Sequence, residues 1–361
     1  MTRKTPNNAV KQPAWPEKVN DQGTCTFGAG VLLGHVQALE AEVEGVHSGH
    51  VDIEYIHRAR VASRRLRAAL PLFIGCLPEK KSRQWLKEIR KVTRALGEAR
   101  DADVQIERLE QVEKDLPAPR YRAGVLRLLL RLKQRRARLQ KPVSKAMERL
   151  TESGILPAMR ERLAPIAEQA ELIYIYTPDL YRHSFNAITA RLEAFLAFDA
   201  IVPQPEKVTE LHEMRIAAKW LRYTMETFAP LYGINLKSYI KAVKDAQEHL
   251  GEIHDADVWI AFLPQFLLEE HKRTVQYYGH DLPFRRMVAG IRYFEQERKL
   301  ARAAQYEQFF REWEGCKAEG LWDDLHRTIQ TPFLHPENMY PPPEPDEEEI
   351  SSEPEGGEPH S

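Results

Sequence analysis

Two stretches of the chain carry, in the same order, residue types that recognise phosphate-like anions. Residues 57–67, HRARVASRRLR, align with residues 212–222, HEMRIAAKWLR, at an offset of 155. His, Arg, Ala, Leu and Arg are identical, and the Val/Ile and Arg/Lys exchanges keep size or charge. On a helical wheel at about 100° per residue, Arg60, Arg64 and Arg67 fall within about 80° of arc on the side of His57. Ala62, Leu66, Ala69, Leu70 and Phe73 turn the other way and can enter a core. The second copy behaves alike: His212, Arg215, Lys219 and Arg222 share one face, and Met214, Ala217, Leu221, Met225 and Phe228 the other. A row of cations with no acid interleaved repels itself, whereas a helix built for stability alone would place Glu at i+4. Such a face calls for a counter-anion. Guanidinium forks match phosphate oxygens in pairs, and an imidazole can donate one more bond.

A second element is also duplicated. Residues 96–104, LGEARDADV, match 250–258, LGEIHDADV, at seven of nine positions. Asp101 and Asp103, like Asp255 and Asp257, are two residues apart and point to different sides of a helix, which suits a shared metal poorly. The expected role is to orient arginines through a salt bridge, with Gly97 and Gly251 permitting close helix contact. His254-Asp255, five residues after His249, has the look of a metal phosphohydrolase dipeptide. The first copy has Arg100 and Ala95 at those places, so the histidines are not part of the repeated unit.

The basic theme extends along the helix that precedes each glycine. Lys87, Arg90, Lys91 and Arg94 lie on one face. The second copy keeps Lys241 and Lys244, but Asp245 and Glu248 replace the other two. A third basic run, 120–149, includes Arg131, Arg135 and Arg138 and has eleven Lys/Arg against one acid, Glu148. The first half should therefore supply more of any anion-binding energy. The formal net charge of −1 hides this asymmetry, because residues 336–361 hold nine acids and no Lys or Arg. The body is basic and would be the part to meet a polyanion.

The elements that must position these residues read as helices throughout. Apolar residues recur at three- and four-residue steps from about 29 to 330. Pro and Gly gather near 78, 117, 154, 203, 233 and 281, where helices should end, and Thr177-Pro178 reads as an N-cap followed by the first helical residue. About eight long helices in two groups of four are expected, an all-α chain with one helical bundle per repeat (about 29–155 and 156–320). Residues 1–28 read as a flexible arm, and the Pro-rich acidic stretch 336–361 as a disordered tail. Three widely spaced cysteines, Cys25, Cys76 and Cys316, suggest neither a disulfide framework nor a CxxC metal site and fit a reducing, cytoplasmic compartment. No apolar run suits a membrane span.

The paired motifs HxxRVAxRRLR and LGxxRDADV, each with a second, variant copy in a helical chain, resemble the CHAD domain, a conserved-histidine α-helical domain. The resemblance covers about 30–320. It implies two four-helix bundles related by a pseudo-twofold axis, with basic residues of both halves lining a central cavity or groove. It further implies binding of inorganic polyphosphate and association with polyphosphate granules, with no cofactor. His57, Arg60, Arg64 and Arg67 match the first motif, and His212, Arg215, Lys219 and Arg222 the second. CHAD units are often joined to a triphosphate tunnel domain with an ExExK signature. Here Glu42-Val43-Glu44-Gly45-Val46 lacks the lysine, so no triphosphatase activity is expected. The rival reading is a helical nucleic-acid binder, which would want aromatic platforms among the cations. Trp85, Trp220 and Tyr223 are the nearest candidates, two of them expected in the core or at the rim. An enzyme acting on phosphoanhydrides would need a carboxylate metal cluster or a phosphate-cradling glycine loop, and no GxxxxGK[ST] occurs.

Overall fold

A computed structural model describes residues 19–47 and 53–334. They form ten α-helices and, among the described residues, no strand. The helices are α1 (Gln22–His47), α2 (Ile53–Ala69), α3 (Glu79–Lys114), α4 (Arg122–Glu152), α5 (Ile155–Ala167), α6 (Pro178–Leu196), α7 (Val208–Tyr232), α8 (Lys237–Tyr278), α9 (Leu282–Ala318) and α10 (Leu321–Leu334). Every break expected from Pro and Gly falls between two of them. Thr177 caps α6 as its sequence foretold, its hydroxyl accepting from the Leu180 amide at 3.1 Å ahead of Pro178. Eight of the helices are long. The two short ones, α5 and α10, were not separated in the sequence. Gly320, with φ of 68°, turns the chain between α9 and α10 where a side chain would be strained.

The order of packed neighbours recurs in the two halves. In the first, α1 packs on α2 and α5, α2 on α3, and α3 on α4; in the second, α6 packs on α7 and α10, α7 on α8, and α8 on α9. Each half therefore has five helices rather than four, and α5 belongs with the first half although it begins at Ile155. Nor does each half keep a separate core. One apolar core runs through all ten helices, from Leu32 and Leu66 through Phe228 to Trp313 and Ile329. A second, smaller core joins the far ends of α3, α4, α8 and α9 through Leu109, Leu128, Trp259, Leu263 and Phe294. The long helices outrun the first core, and their distal apolar faces are covered by the neighbouring helix of the same half and by the α4–α9 crossing. Gly124 and Gly290 let α4 and α9 cross closely there: a Cβ on Gly290 would stand 1.9 Å from the Tyr121 carbonyl oxygen.

Two sequence expectations are corrected near the N-terminus. Residues 22–28 belong to α1 and not to an arm; Thr24 and Thr26 are buried. Asp21 caps this helix, accepting from the Thr24 amide at 2.7 Å and from the Thr177 hydroxyl at 2.7 Å, so the caps of α1 and α6 are joined. Cys25 and Cys76 form a disulfide across 51 residues, leaving Cys316 free. The cysteine count missed this because α1 and the turn after α2 meet only in the fold. Such bonds persist in oxidising surroundings, so cysteine usage no longer argues for a reducing compartment. Residues 1–18 of the expected arm and the tail 336–361 lie outside the described residues. None of the described helices is long and apolar enough to cross a membrane.

Candidate functional site

The two repeated basic segments lie on α2 and α7, and these helices pack against one another. Their apolar faces do what the wheel required: Leu66, Phe73, Met214, Leu221 and Phe228 are buried. The cationic faces consequently meet across the α2–α7 contact. Burial and the charges of Arg64, Arg215, Arg67 and Arg60 push the Lys219 ammonium down to about 7. Burial likewise lowers Arg64, with Arg60 and Arg222 acting on it in the same direction, and lowers Arg67 with Arg90 beside it. Residues from both copies thus occupy one electropositive cluster.

Aromatic rings floor this cluster. The guanidinium groups of Arg64 and Arg222 lie over the Tyr223 ring at 5.3 and 4.9 Å, and those of Arg67 and Arg191 over Trp220 at 5.6 and 5.4 Å. Trp85 is buried in the core. Arg191, on α6, escaped sequence reasoning because its equivalent in the first half, at the same offset of 155, is Val36; no repeat signal marks it.

The histidines differ between the halves. His57 is half-buried on α2. His212 stacks on His254 at 4.0 Å between ring centroids, where the first half has Arg100 in place of His254. Burial, with Arg215 and Lys219, lowers His212; burial, His212 and Arg215 push His254 down to about 4. Both rings are therefore held neutral near pH 7. The His254-Asp255 pair serves this cationic cluster.

The duplicated aspartates divide their work identically in the two halves. The first of each pair faces a motif arginine: Arg60 Nη2 donates to Asp101 Oδ1 at 3.1 Å, and the charge of Arg215 acts on Asp255. The second reaches the next helix, where Arg136 Nε donates to Asp103 at 2.6 Å and Arg302 Nε to Asp257 at 2.5 Å. These two pairs are largely buried. The glycines do not make the close helix contact expected of them. A Cβ on Gly97 would stand 3.9 Å from Arg60 Nε, and one on Gly251 3.6 Å from Arg215 Nε. Both are ordinary contact distances, so a small side chain would fit beside either guanidinium.

The remaining candidates are not all brought together. Lys87 and Arg90 are exposed on α3, Arg90 on the side of Arg67. Lys91 pairs with Glu88 at 2.6 Å and Arg94 with Glu98 at 3.3 Å. Lys241 and Lys244 pair along their own helix with Asp245 and Glu248. Arg131 is a correction. Its guanidinium, with those of Arg127 and Arg273, surrounds the fully buried Glu270 carboxylate on α8 at 2.6–2.7 Å. It locks α4 to α8 beside the second core, away from the α2–α7 cluster. Arg135 and Arg138 are exposed on α4.

A family model for the CHAD domain matches residues 30–264, and the chain belongs to that family. The match ends within α8, so α9 and α10 complete the fold beyond it. Among solved structures, the chain is similar to the CHAD domain of the plant Ricinus communis, at 21% identity and a TM-score of 0.50, covering 90% of this chain and 95% of that one. It is also similar to PptA from Streptomyces chartreusis, at 17% identity and a TM-score of 0.53, covering 80% and 99%. Both likenesses concern the fold. No curated protein matches the sequence.

Proposed function

We propose that this protein binds inorganic polyphosphate without hydrolysing it. One observation carries the reading: the cationic faces of both motif copies converge on a single cluster, with Lys219 set among Arg60, Arg64, Arg67 and Arg215. Confining that many like charges to a partly buried place is unfavourable unless an anion of matching charge density enters. A linear phosphate polymer supplies that density, one anionic unit after another, and displaces its counterions on binding. Membership of a family associated with polyphosphate points the same way. A cytoplasmic setting at polyphosphate granules accompanies this reading and rests on the ligand, since the cysteines no longer support it.

The nucleic-acid alternative is weaker on one specific ground. Trp220 and Tyr223, the aromatic rings at the cluster, already carry guanidinium groups over them and do not offer open faces for bases. The non-enzymatic reading draws on the duplicated aspartates, of which Asp101, Asp103 and Asp257 accept hydrogen bonds from arginines. A competition titration at physiological salt separates these readings. Labelled long-chain polyphosphate should be displaced by unlabelled polyphosphate and far less by single-stranded DNA or RNA of equal charge. Equal displacement by all three would make the protein a general polyanion binder. Phosphate release from polyphosphate with added Mg²⁺ or Mn²⁺ would make it an enzyme.

A further inference from the structure

We infer that a polyphosphate chain held at the α2–α7 cluster leaves it over one half of the molecule only, along a second anion-binding groove between α3 and α4. The inference rests on the polyphosphate reading above and extends it to a site and a direction. The groove has a volume of about 430 Å³ and is lined by Lys91 on α3 and by Lys141, Lys145 and Arg149 on α4, with Glu88 its one carboxylate. Lys141, Lys145 and Arg149 stand at four-residue steps on one exposed stripe of α4. Among the described residues, none of these three has a carboxylate within ion-pairing distance. Val92, Ala95, Pro142 and Leu150 form an apolar wall beneath them.

The groove and the cluster are linked through α3, which packs on both α2 and α4. Arg90 lies close enough to Arg67 to act on its charge. Lys91 is the next residue, about 100° further round the same helix, and lines the groove. The cations therefore pass from Arg64 and Arg67 on α2, over Arg90 and Lys91 on α3, to the stripe on α4.

The second half contains an internal control. Its matching groove, between α8 and α9, has a volume of about 560 Å³. It shares part of the same positions: Asp245 stands for Lys91 at the offset of 154, and Gly315 for Arg149 at the offset of 166 that also relates Arg302 to Arg136, while the counterparts of Lys141 and Lys145, Glu307 and Arg311, do not line it. Its lining carries Asp245, Glu248, Glu312 and Glu319 against Lys241 and His249. The same packing thus tolerates either sign of charge, so the basic lining between α3 and α4 is not a requirement of the fold. A polyanion is drawn to the first groove and repelled by the second.

The test uses the full chain and two probes, long-chain polyphosphate and tripolyphosphate, which is too short to reach beyond the cluster. The triple variant Lys141→Ala, Lys145→Ala, Arg149→Ala alters only exposed helix positions. It should weaken long-chain binding about tenfold and flatten its log–log salt dependence by about two, as expected for three lost phosphate contacts. Tripolyphosphate binding should be unchanged. Unchanged long-chain affinity would overturn the groove, and so would an equal loss for both probes, which would mean that these residues act through the cluster. Failure of the unaltered chain to bind either probe would instead overturn the polyphosphate reading itself.

Discussion

Lys219 and Arg64 stand at matching positions of the two repeated segments, 155 residues apart, and in the folded chain they are neighbours. After burial, Arg64 is the strongest influence on the Lys219 ammonium. Equivalent residues of the two copies meet because α2 and α7 pack on each other. Duplication of one basic helix face thereby doubles the charge density at one place.

Binding should depend on pH through Lys219. Its folded value of about 7 lies well below the ordinary lysine value, and a bound polyanion stabilises the charged form and raises it. Proton uptake therefore accompanies binding above pH 7, and affinity for long-chain polyphosphate should fall from pH 7 to pH 9. Lys219→Arg stays charged throughout and should abolish that fall. His212 and His254, both lowered, are neutral over this range in the unliganded chain. An affinity profile that is flat in the unaltered chain would remove Lys219 from the site.

The same residue should trade stability for function. A lysine with a lowered folded value binds its proton more weakly in the folded state than in the unfolded one. It destabilises the fold increasingly as pH drops from the unfolded value towards 7, and the penalty then stays constant. Lys219→Met should raise stability at pH 7 by about 1–3 kcal/mol while weakening polyphosphate binding. Denaturant titration at pH 7 reads the first effect, and destabilisation there would refute the account.

Arg60→Ala with Arg64→Ala should cut polyphosphate affinity at least about tenfold by removing two phosphate contacts. Both side chains project from the cationic face of α2 and not into the core, so the far-ultraviolet dichroism and the cooperative melt should persist. Normal binding by a folded double variant would displace the site from the α2–α7 contact.

Glu270 should behave as a structural residue. Burial alone would raise its carboxyl, but hydrogen bonds from Arg131, Arg273 and Arg127 outweigh it and hold it below the ordinary carboxylate value. Its stabilisation is thus present above the unfolded value of about 4.5 and is lost as pH falls through the lower folded one. Glu270→Gln leaves three guanidinium groups around a neutral amide and should cost about 3–5 kcal/mol in a denaturant titration. An unaffected midpoint would show that the ion-pair knot does not hold α4 to α8.

The Cys25–Cys76 bond gives a chemical count. Unfolded without reductant, the chain should expose one reactive thiol, Cys316, and after reduction three. Closing a loop of 51 residues should contribute about 2–4 kcal/mol, lost on reduction. Three thiols in protein prepared without reductant would show that the bond does not form in its native compartment.

What the sequence determined by itself was local or duplicated. Periodicity near 3.6, Pro and Gly at the breaks and the Thr177 cap defined the helices, because these signals act within a few residues. The two copies of HxxR and DADV marked the cationic faces and their aspartates, since a role kept twice leaves two matching traces. Tertiary structure alone decided the meetings between distant helices. It set Lys219 beside Arg64, placed Arg191 over Trp220, turned Arg131 from a candidate ligand into a partner of Glu270, joined Cys25 to Cys76 and merged two expected bundle cores into one. A wheel fixes the side of a helix on which a charge lies. Which other face it meets is settled by how the whole apolar surface is buried, and that depends on every helix at once.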